Sequence, residues 1–245
     1  MRLIGTVTTP EMLPAAKRDR MFSLMTAHFE GVSRAAFEHD LAEKQWVVVL
    51  RDKQTGELQG FSTLMVFDAD VHGTPIRAVF SGDTIVHRDF WGEPELATVW
   101  GNFVLSLIGQ HEGVRFFWFL ISKGYRTYKF LPVYFERYFP RYDEPTPAFE
   151  RELIATLAER KFPGQFRPDL GVIHFDQPRD RLRADLAEVG ELRLADPHIR
   201  FFLEANPGYV DGDELACVAE LTEENLRPVA RRILTRVQRA GTGAT

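Results

Sequence analysis

The chain has a single cysteine, Cys217, in 245 residues. That count excludes an intrachain disulfide framework and any metal site built from several thiolates. Cys217 falls in the apolar run Leu215–Leu221, so a small buried hydrophobe is its expected role. Excess positive charge is also missing: the formal net charge is −5 at pH 7. Duplex binding normally rests on a basic surface that neutralises phosphates, so no nucleic-acid partner is expected. The clearly basic tract, Arg227, Arg231, Arg232, Arg236 and Arg239, reads as the solvated face of a C-terminal helix. No stretch approaches the roughly 20 apolar residues that span a bilayer, and the longest apolar run, Phe116–Ile121, is strand-sized. Met1–Pro10 lacks the apolar segment of a signal peptide. A cytoplasmic protein with no membrane span follows as the expectation. Phosphate-binding loops and serine nucleophile elbows are absent, and the histidines show no metal-binding spacing; His28 and His39 are too far apart to pair on one helix face. No metal is therefore expected.

What is present is a bulky apolar composition, 44% hydrophobic with 20 phenylalanines, which suits a large core or an apolar pocket. Leu3–Thr8 reads as a strand, and Pro10–Met25 and Ser33–Lys44 as helical stretches. Gln45–Arg51, Leu58–Asp68 and Ile76–His87 read as a three-strand meander with polar turns at 52–57 and 72–75. The period changes after Gly92: Leu96, Val99, Trp100, Phe103, Val104, Leu107 and Ile108 line one face of a helix, with Pro94 at its first turn. Arg115–Ser122 is a continuous apolar run, as a central strand covered on both faces should be. Helical spacing resumes over Tyr125–Tyr138, interrupted by Pro132. Residues 141–197 form a looser, mainly helical insertion, with a helix opened by Thr146-Pro147, a short strand at Val172–Phe175 and a short polar helix at Arg179–Val189. His198–Glu204 and Glu214–Leu221 read as a final hairpin, with a terminal helix from about Glu223. The reading is a core at 1–140, an insertion at 141–197, and a completing segment at 198–245.

Three tracts resemble the GNAT acyltransferase superfamily. WVVVLRDKQTGELQGFSTL is similar to that family's strand–turn–strand. DTIVHRDFWGEPELATVW is similar to its fourth strand, cofactor loop and following helix, and VYFERYF to the tyrosine-bearing helix end after the fifth strand. The resemblance implies a mixed, mostly antiparallel twisted α/β sheet flanked by helices, and an N-acyltransferase moving an acyl group from a thioester to an amine. The donor it implies is acyl-CoA or the phosphopantetheine of an acyl carrier protein, and the acceptor a small-molecule amine. In the family a basic residue and two glycines shape the cofactor loop. Here Val86, Arg88, Trp91, Gly92 and Glu93 stand in that loop, with Trp91 in place of the basic residue and Pro94 in place of a glycine. The resemblance also implies that Tyr134 protonates the departing thiolate.

For the base that takes the amine's proton, Asp83 and His87 lie four residues apart in one strand and point to one face. Gly82 inside that strand signals a bulge or a close ligand approach. Ser122, Lys123, Tyr125 and Tyr128 follow the central strand's C-terminal end, where open α/β sheets bind ligands, and are the expected substrate contacts. The aromatic run Phe116–Phe119 would suit a long or aromatic acyl chain if it borders the acyl site. Two other readings stay open: a non-catalytic GNAT fold serving as a ligand-binding or assembly module, and a homodimer formed through the insertion.

Overall fold

The computed structural model describes residues 1–111, 113–176 and 180–241. Strands β1 (Leu3–Thr8), β3 (Trp46–Asp52), β4 (Leu58–Val71) and β5 (Thr74–Val86) form an antiparallel run, with helices α1 (Ala15–His28) and α2 (Arg34–Ala42) and the two-residue β2 (Phe29–Glu30) between β1 and β3. Helix α3 (Glu95–Ile108) then carries the chain across to β6 (Arg115–Ser122), which pairs parallel with β5. Two short helices follow, α4 (Tyr125–Tyr128) and α5 (Phe130–Tyr134). The insertion holds α6 (Ala148–Lys161), β7 (Phe166–Arg167), β8 (Val172–Ile173), β9 (Arg181–Leu182) and α7 (Ala184–Ala187). Helix α8 (Pro197–Ala205), β10 (Glu214–Glu220) and α9 (Pro228–Gly241) complete the chain. The main sheet has the order β1-β3-β4-β5-β6-β10-β8-β7, and its single parallel pair is β5–β6. This is the mixed, mostly antiparallel α/β architecture that the sequence motifs implied.

Side-chain alternation explains why β6 sits at the centre. Phe116, Trp118 and Leu120 enter a core shared with α3, α5 and α9, while Phe117 and Phe119 enter a second core under α6. A third core packs Met21, Leu24 and Met25 of α1 and Phe37 and Leu41 of α2 on Val47, Val49 and Phe61. β1 is an edge strand, and two acids at the start of α3 blunt it. Glu93 accepts the backbone N–H groups of Arg2 (2.8 Å) and Leu3 (3.3 Å), and Glu95 that of Gly5 (2.8 Å).

Two expectations are corrected. Residues 198–204 are helical, not a strand: Asp196 caps the helix by accepting the His198 N–H at 2.9 Å, and Pro197 sits at its first position. The final hairpin therefore does not form; β10 pairs with β6, from Leu215↔Ser122 to Glu220↔Phe117, and with β8 on its other side. The Tyr125–Tyr138 stretch is not one helix. It breaks into α4 and α5, after which extended Phe135 and Phe139 bridge to Leu226 and Val218. The start of the expected helix at Arg179 and the side chains of Arg236 and Arg239 lie outside the described residues.

Candidate functional site

β5 bulges at the glycine the sequence singled out. Opposite β4, Ser62 pairs with Thr84 and Leu64 with Ser81, so Thr63 faces two residues, Gly82 and Asp83. A Cβ at Gly82 would lie 2.6 Å from Thr63 Oγ1 and 2.8 Å from Lys44 Cε, which is why no side chain fits there. The β5–β6 pairing runs from Ile76↔Arg115 to Ser81↔Leu120 and stops. Beyond that point β5 continues beside β4 to Val86, while β6 continues beside β10 to Ser122. The two parallel strands part at the bulge, and a cavity of about 850 Å³ fills the opening.

The cavity has two sides. On one, the loop Phe90–Pro94, Leu96 and Ala97 at the start of α3, Phe130 and Tyr134 of α5, and Ile233 of α9 form the wall. On the other stand α1, α2 and the carboxylates Asp40, Asp83, Asp180 and Glu214. Asp83 makes no hydrogen bond or ion pair with any described residue. Burial, with the nearby Asp40 charge, pushes its carboxyl up to about 7, against the pull of Lys123 and Lys44. Lys123 sits between Asp180 (2.8 Å) and Glu214 (3.4 Å). Burial opposes its charge, but Glu214, Asp180 and Asp83 together raise its pKa and keep it an ammonium. Lys44 is likewise held by Asp40, at 2.6 Å.

Tyr134 lines both this cavity and a smaller adjoining chamber of about 70 Å³. Its ring stacks on Phe130 at 6.0 Å, and burial raises its hydroxyl pKa, which keeps the proton on at neutral pH. The small chamber is walled by Leu96, Trp100, Trp118, Leu120, Ala230 and Leu234. At its edge Ser81 Oγ accepts two indole N–H groups, from Trp100 (3.0 Å) and Trp118 (2.9 Å). Trp118 is thus the member of the Phe116–Phe119 run that borders a chamber; the three phenylalanines pack into the cores.

The loop residues are arranged as follows. The Trp91 indole donates to the Val86 carbonyl at 2.8 Å and staples the loop onto β5. Gly92 takes φ +88°, a left-handed conformation that requires glycine. Glu93 turns its carboxylate to the backbone of β1 and the Arg2 side chain, whose hydrogen bonds depress its pKa despite an opposing desolvation.

Asp83, Val86, Trp91, Gly92, Glu93, Lys123 and Tyr134 therefore share one cavity. The other expected site residues do not line it. His87 lies past the strand end, its ring nitrogen facing the Asp89 N–H at 3.4 Å, so it does not share a face with Asp83. Arg88 pairs with Asp185. Tyr128 is buried in the core, its hydroxyl donating to the Pro140 carbonyl at 2.9 Å. Ser122 and Tyr125 are buried with unpartnered hydroxyls, away from the cavity lining. β6 ends at Ser122 and turns sharply into α4, which explains why only Lys123 of that tract's expected contacts reaches the opening.

Several lining residues carry no sequence signal. His28, at the end of α1, donates from Nδ1 to the Leu24 carbonyl at 2.8 Å and leaves Nε2 buried without a partner. Burial lowers its pKa, which favours the neutral ring. Asp40, Asp180, Glu214 and Arg193 come from four separate segments, and only the fold joins them. Among the described residues no group of three His, Cys, Asp or Glu side chains is placed to hold a metal ion, and no helix is long and apolar enough to cross a membrane.

No protein-family model matches the sequence, and no curated protein matches it. Solved structures do. A protein from Enterococcus faecalis described as a probable N-acyltransferase aligns with 55% of this chain and 33% of its own length, at 16% identity and a TM-score of 0.41. A GNAT family N-acetyltransferase from Escherichia coli, solved in complex with CoA, aligns over 50% of this chain and 64% of its own, at 20% identity and a TM-score of 0.37. The glucosamine-6-phosphate N-acetyltransferase of Arabidopsis thaliana matches 47% of this chain and 80% of its own, at 15% identity and a TM-score of 0.35. The chain thus spans a third of the first of these proteins and just under two thirds of the second.

Proposed function

We propose that this chain is a GNAT-type N-acyltransferase that moves an acyl group from a phosphopantetheine thioester, on CoA or a carrier protein, directly to an amine. The observation that carries the reading is the parting of β5 and β6 at Ser81 and Leu120, with Asp83 and Tyr134 both facing the cavity that fills the gap. The thioester enters from the side of the α3 N-terminus and the amine from the side of α1 and α2. Asp83 takes a proton from the bound ammonium and leaves a free amine to attack, and its pKa of about 7 matches that task at neutral pH. The nitrogen bonds to the acyl carbon, the carbon–sulfur bond breaks, Tyr134 supplies a proton to the departing sulfur, and the proton that the new amide nitrogen sheds returns the tyrosinate to its neutral form. The α1–α2 side offers four carboxylates, and its two lysines, Lys44 and Lys123, are already held by acids. With Phe29, Phe37 and Phe80 beside them, that lining favours a cationic amine on an apolar body over an acceptor carrying its own carboxylate or phosphate.

The loop's departures at Trp91 and Pro94 favour a non-catalytic ligand-binding module. Against it stands the unpaired Asp83, a half-buried carboxylate on the cavity with no structural partner to explain it. The test is thiol release from acyl-CoA and acyl-pantetheine thioesters in the presence of a panel of amines, with the N-acylated product identified by mass. Acyl transfer lost in Asp83→Asn supports the reading. Absence of transfer from every thioester, or transfer undiminished in Asp83→Asn, overturns it.

A further inference from the structure

The cavity is polarised. Its acidic end, around Asp83, Asp180 and Glu214, is opposed by a basic rim built from α4 and from the insertion. Arg126 and Arg193 both line the cavity, and both guanidinium groups stand on one aromatic ring, that of Tyr125, at 4.8 and 5.7 Å from its centroid. Arg126 also lies 4.8 Å over the Trp91 ring, against the loop that leads into α3. Among the described residues its guanidinium donates to the Leu186 carbonyl, at 2.8 Å. Arg193 is exposed, and its guanidinium makes no hydrogen bond or ion pair with a described residue. The groups that face Arg126 are Tyr125, Arg193, Arg88 and Asp185, and Asp185, the one carboxylate among them, is engaged by Arg88. Arg126 thus has two other guanidinium groups near it, Arg193 and Arg88, and the one carboxylate near it is the one that Arg88 holds. Like charges so gathered repel one another, and burial adds to the cost. An anion between Arg126 and Arg193 would relieve both.

Part of the loop's own polar capacity is already engaged. Pro94 has no N–H. The N–H groups of Phe90, Trp91 and Glu93 bond to His87, Arg88 and Phe90 within the loop, and the Glu93 carboxylate is spent on β1. Charge missing from the loop is present across the opening, delivered in part by the 3₁₀ turn Glu191–Ala195 of the insertion.

We propose that Arg126 and Arg193 form an anion clamp that holds the phosphate of a phosphopantetheine donor at the mouth of the cavity. The inference rests on the acyltransferase reading for the identity of the donor, and on the arginine geometry for the site. The phosphate of 4′-phosphopantetheine is common to CoA and to a loaded carrier protein, so the clamp reads the part that the two share. It also assigns the insertion a role, since without Arg193 the rim keeps one uncommitted guanidinium.

Calorimetric titration with pantetheine, 4′-phosphopantetheine, CoA and inorganic pyrophosphate tests the clamp, using the full chain and the variants Arg193→Gln and Arg126→Gln. Arg193 is exposed on its turn, so Arg193→Gln should fold as the parent does, and its melting temperature verifies this. The expected result is that 4′-phosphopantetheine binds at least about tenfold more tightly than pantetheine, that Arg193→Gln removes about five- to tenfold of that gain, and that pantetheine itself is unaffected. The gain should also shrink as salt is raised, more steeply in the parent than in the variant. Binding of 4′-phosphopantetheine and CoA unchanged in both variants overturns the clamp, as does equal binding of pantetheine and its phosphate. Arg193-dependent binding of pyrophosphate without binding of any pantetheine compound sustains the anion site and sinks the donor reading. If none of the probes binds the parent, the clamp falls, while transfer from acyl-pantetheine thioesters would leave the acyltransferase reading standing.

Discussion

Asp83 and Lys123 face one cavity from the two strands that part, yet they do not form an ion pair. Lys123 is taken by Asp180 and Glu214, which leaves Asp83 as the unpaired carboxylate of the group. Its pKa of about 7 follows from that arrangement, and it has consequences for both rate and stability. For the rate, kcat/KM should rise with pH through about 7 and level off above, as the base loses its proton. Asp83→Asn should lower the rate by about 10²- to 10⁴-fold and remove that limb of the profile. A pH–rate profile that keeps its shape in the variant would remove Asp83 from the role of base.

For stability the sign is opposite to that of an ordinary salt-bridged acid. In the unfolded chain Asp83 titrates at roughly 3.9, and in the folded chain at about 7. Between those values the folded chain binds more protons than the unfolded one, so this group's contribution to stability falls as pH rises from about 4 to about 7. Asp83→Asn lacks that loss. The variant should melt higher than the parent at pH 8, by about 2–4 °C for each kcal/mol recovered, and the advantage should shrink toward pH 5. Melting curves at the two pH values check this, and an advantage independent of pH would contradict it.

Tyr134 should matter to the departing sulfur and little to the fold. Its ring packs on Phe130, and a phenylalanine would keep that stacking. Tyr134→Phe should therefore leave the melting temperature within about 2 °C while lowering kcat by about 10²-fold. The loss should be smaller with thioesters of more acidic thiols, which leave without a proton. An equal loss with both kinds of thioester would assign Tyr134 to positioning instead of proton transfer.

The packing of α3 on the edge strand rests on a missing side chain. A Cβ at Gly5 would lie 2.5 Å from Val99 Cγ2 and 3.0 Å from Leu50 Cδ2. Val99 is β-branched and stiff within its helix, so it cannot swing aside. Gly5→Ala should destabilise the protein by about 1–3 kcal/mol, and adding Val99→Ala should return much of that loss. Chemical denaturation of the two variants measures it; a double variant no more stable than Gly5→Ala would place the strain elsewhere.

The elements that could be read from the chain are those whose local pattern and tertiary environment agree. The continuous apolar run of β6 is buried on both faces, and the helical period from Leu96 to Ile108 marks the side of α3 that packs on the core, with Leu96 and Val104 buried and Val99, Trp100 and Phe103 partly so. Residues 198–204 show where local pattern misleads. Ile199, Phe201, Phe202 and Leu203 suit a strand by composition, but the Asp196–Pro197 cap set them in a helix with Ile199 and Phe202 buried. Within the site, Gly82 announced the bulge, strand position pointed to Asp83, and the family likeness pointed to Tyr134. His87 failed because its reading assumed the strand ran one residue further than it does. Asp180, Glu214 and Arg193 could not be found in this way, since no spacing along the chain relates them to Asp83 or to Trp91; they reach the cavity only because β10 pairs with β6 and the insertion folds back over α4.

The small chamber beside Tyr134 makes a prediction about the acyl group. It shares Thr84, Leu96 and Tyr134 with the lining of the large cavity, its wall is mostly apolar, and Ala230 of α9 forms part of that wall. At about 70 Å³ it accommodates a few methylenes beyond an acetyl group, and burying each methylene contributes about 0.8 kcal/mol. Donors of four to six carbons should thus exceed acetyl in kcat/KM by about 10- to 10²-fold, the gain expected of two to four such groups. Ala230→Leu fills the chamber from its wall and should lower the rate with the longer donors while sparing acetyl. Competition between acetyl and hexanoyl thioesters in one reaction reads the ratio directly. A parent enzyme that prefers acetyl, or a variant whose ratio does not move, would show that the acyl chain lies elsewhere.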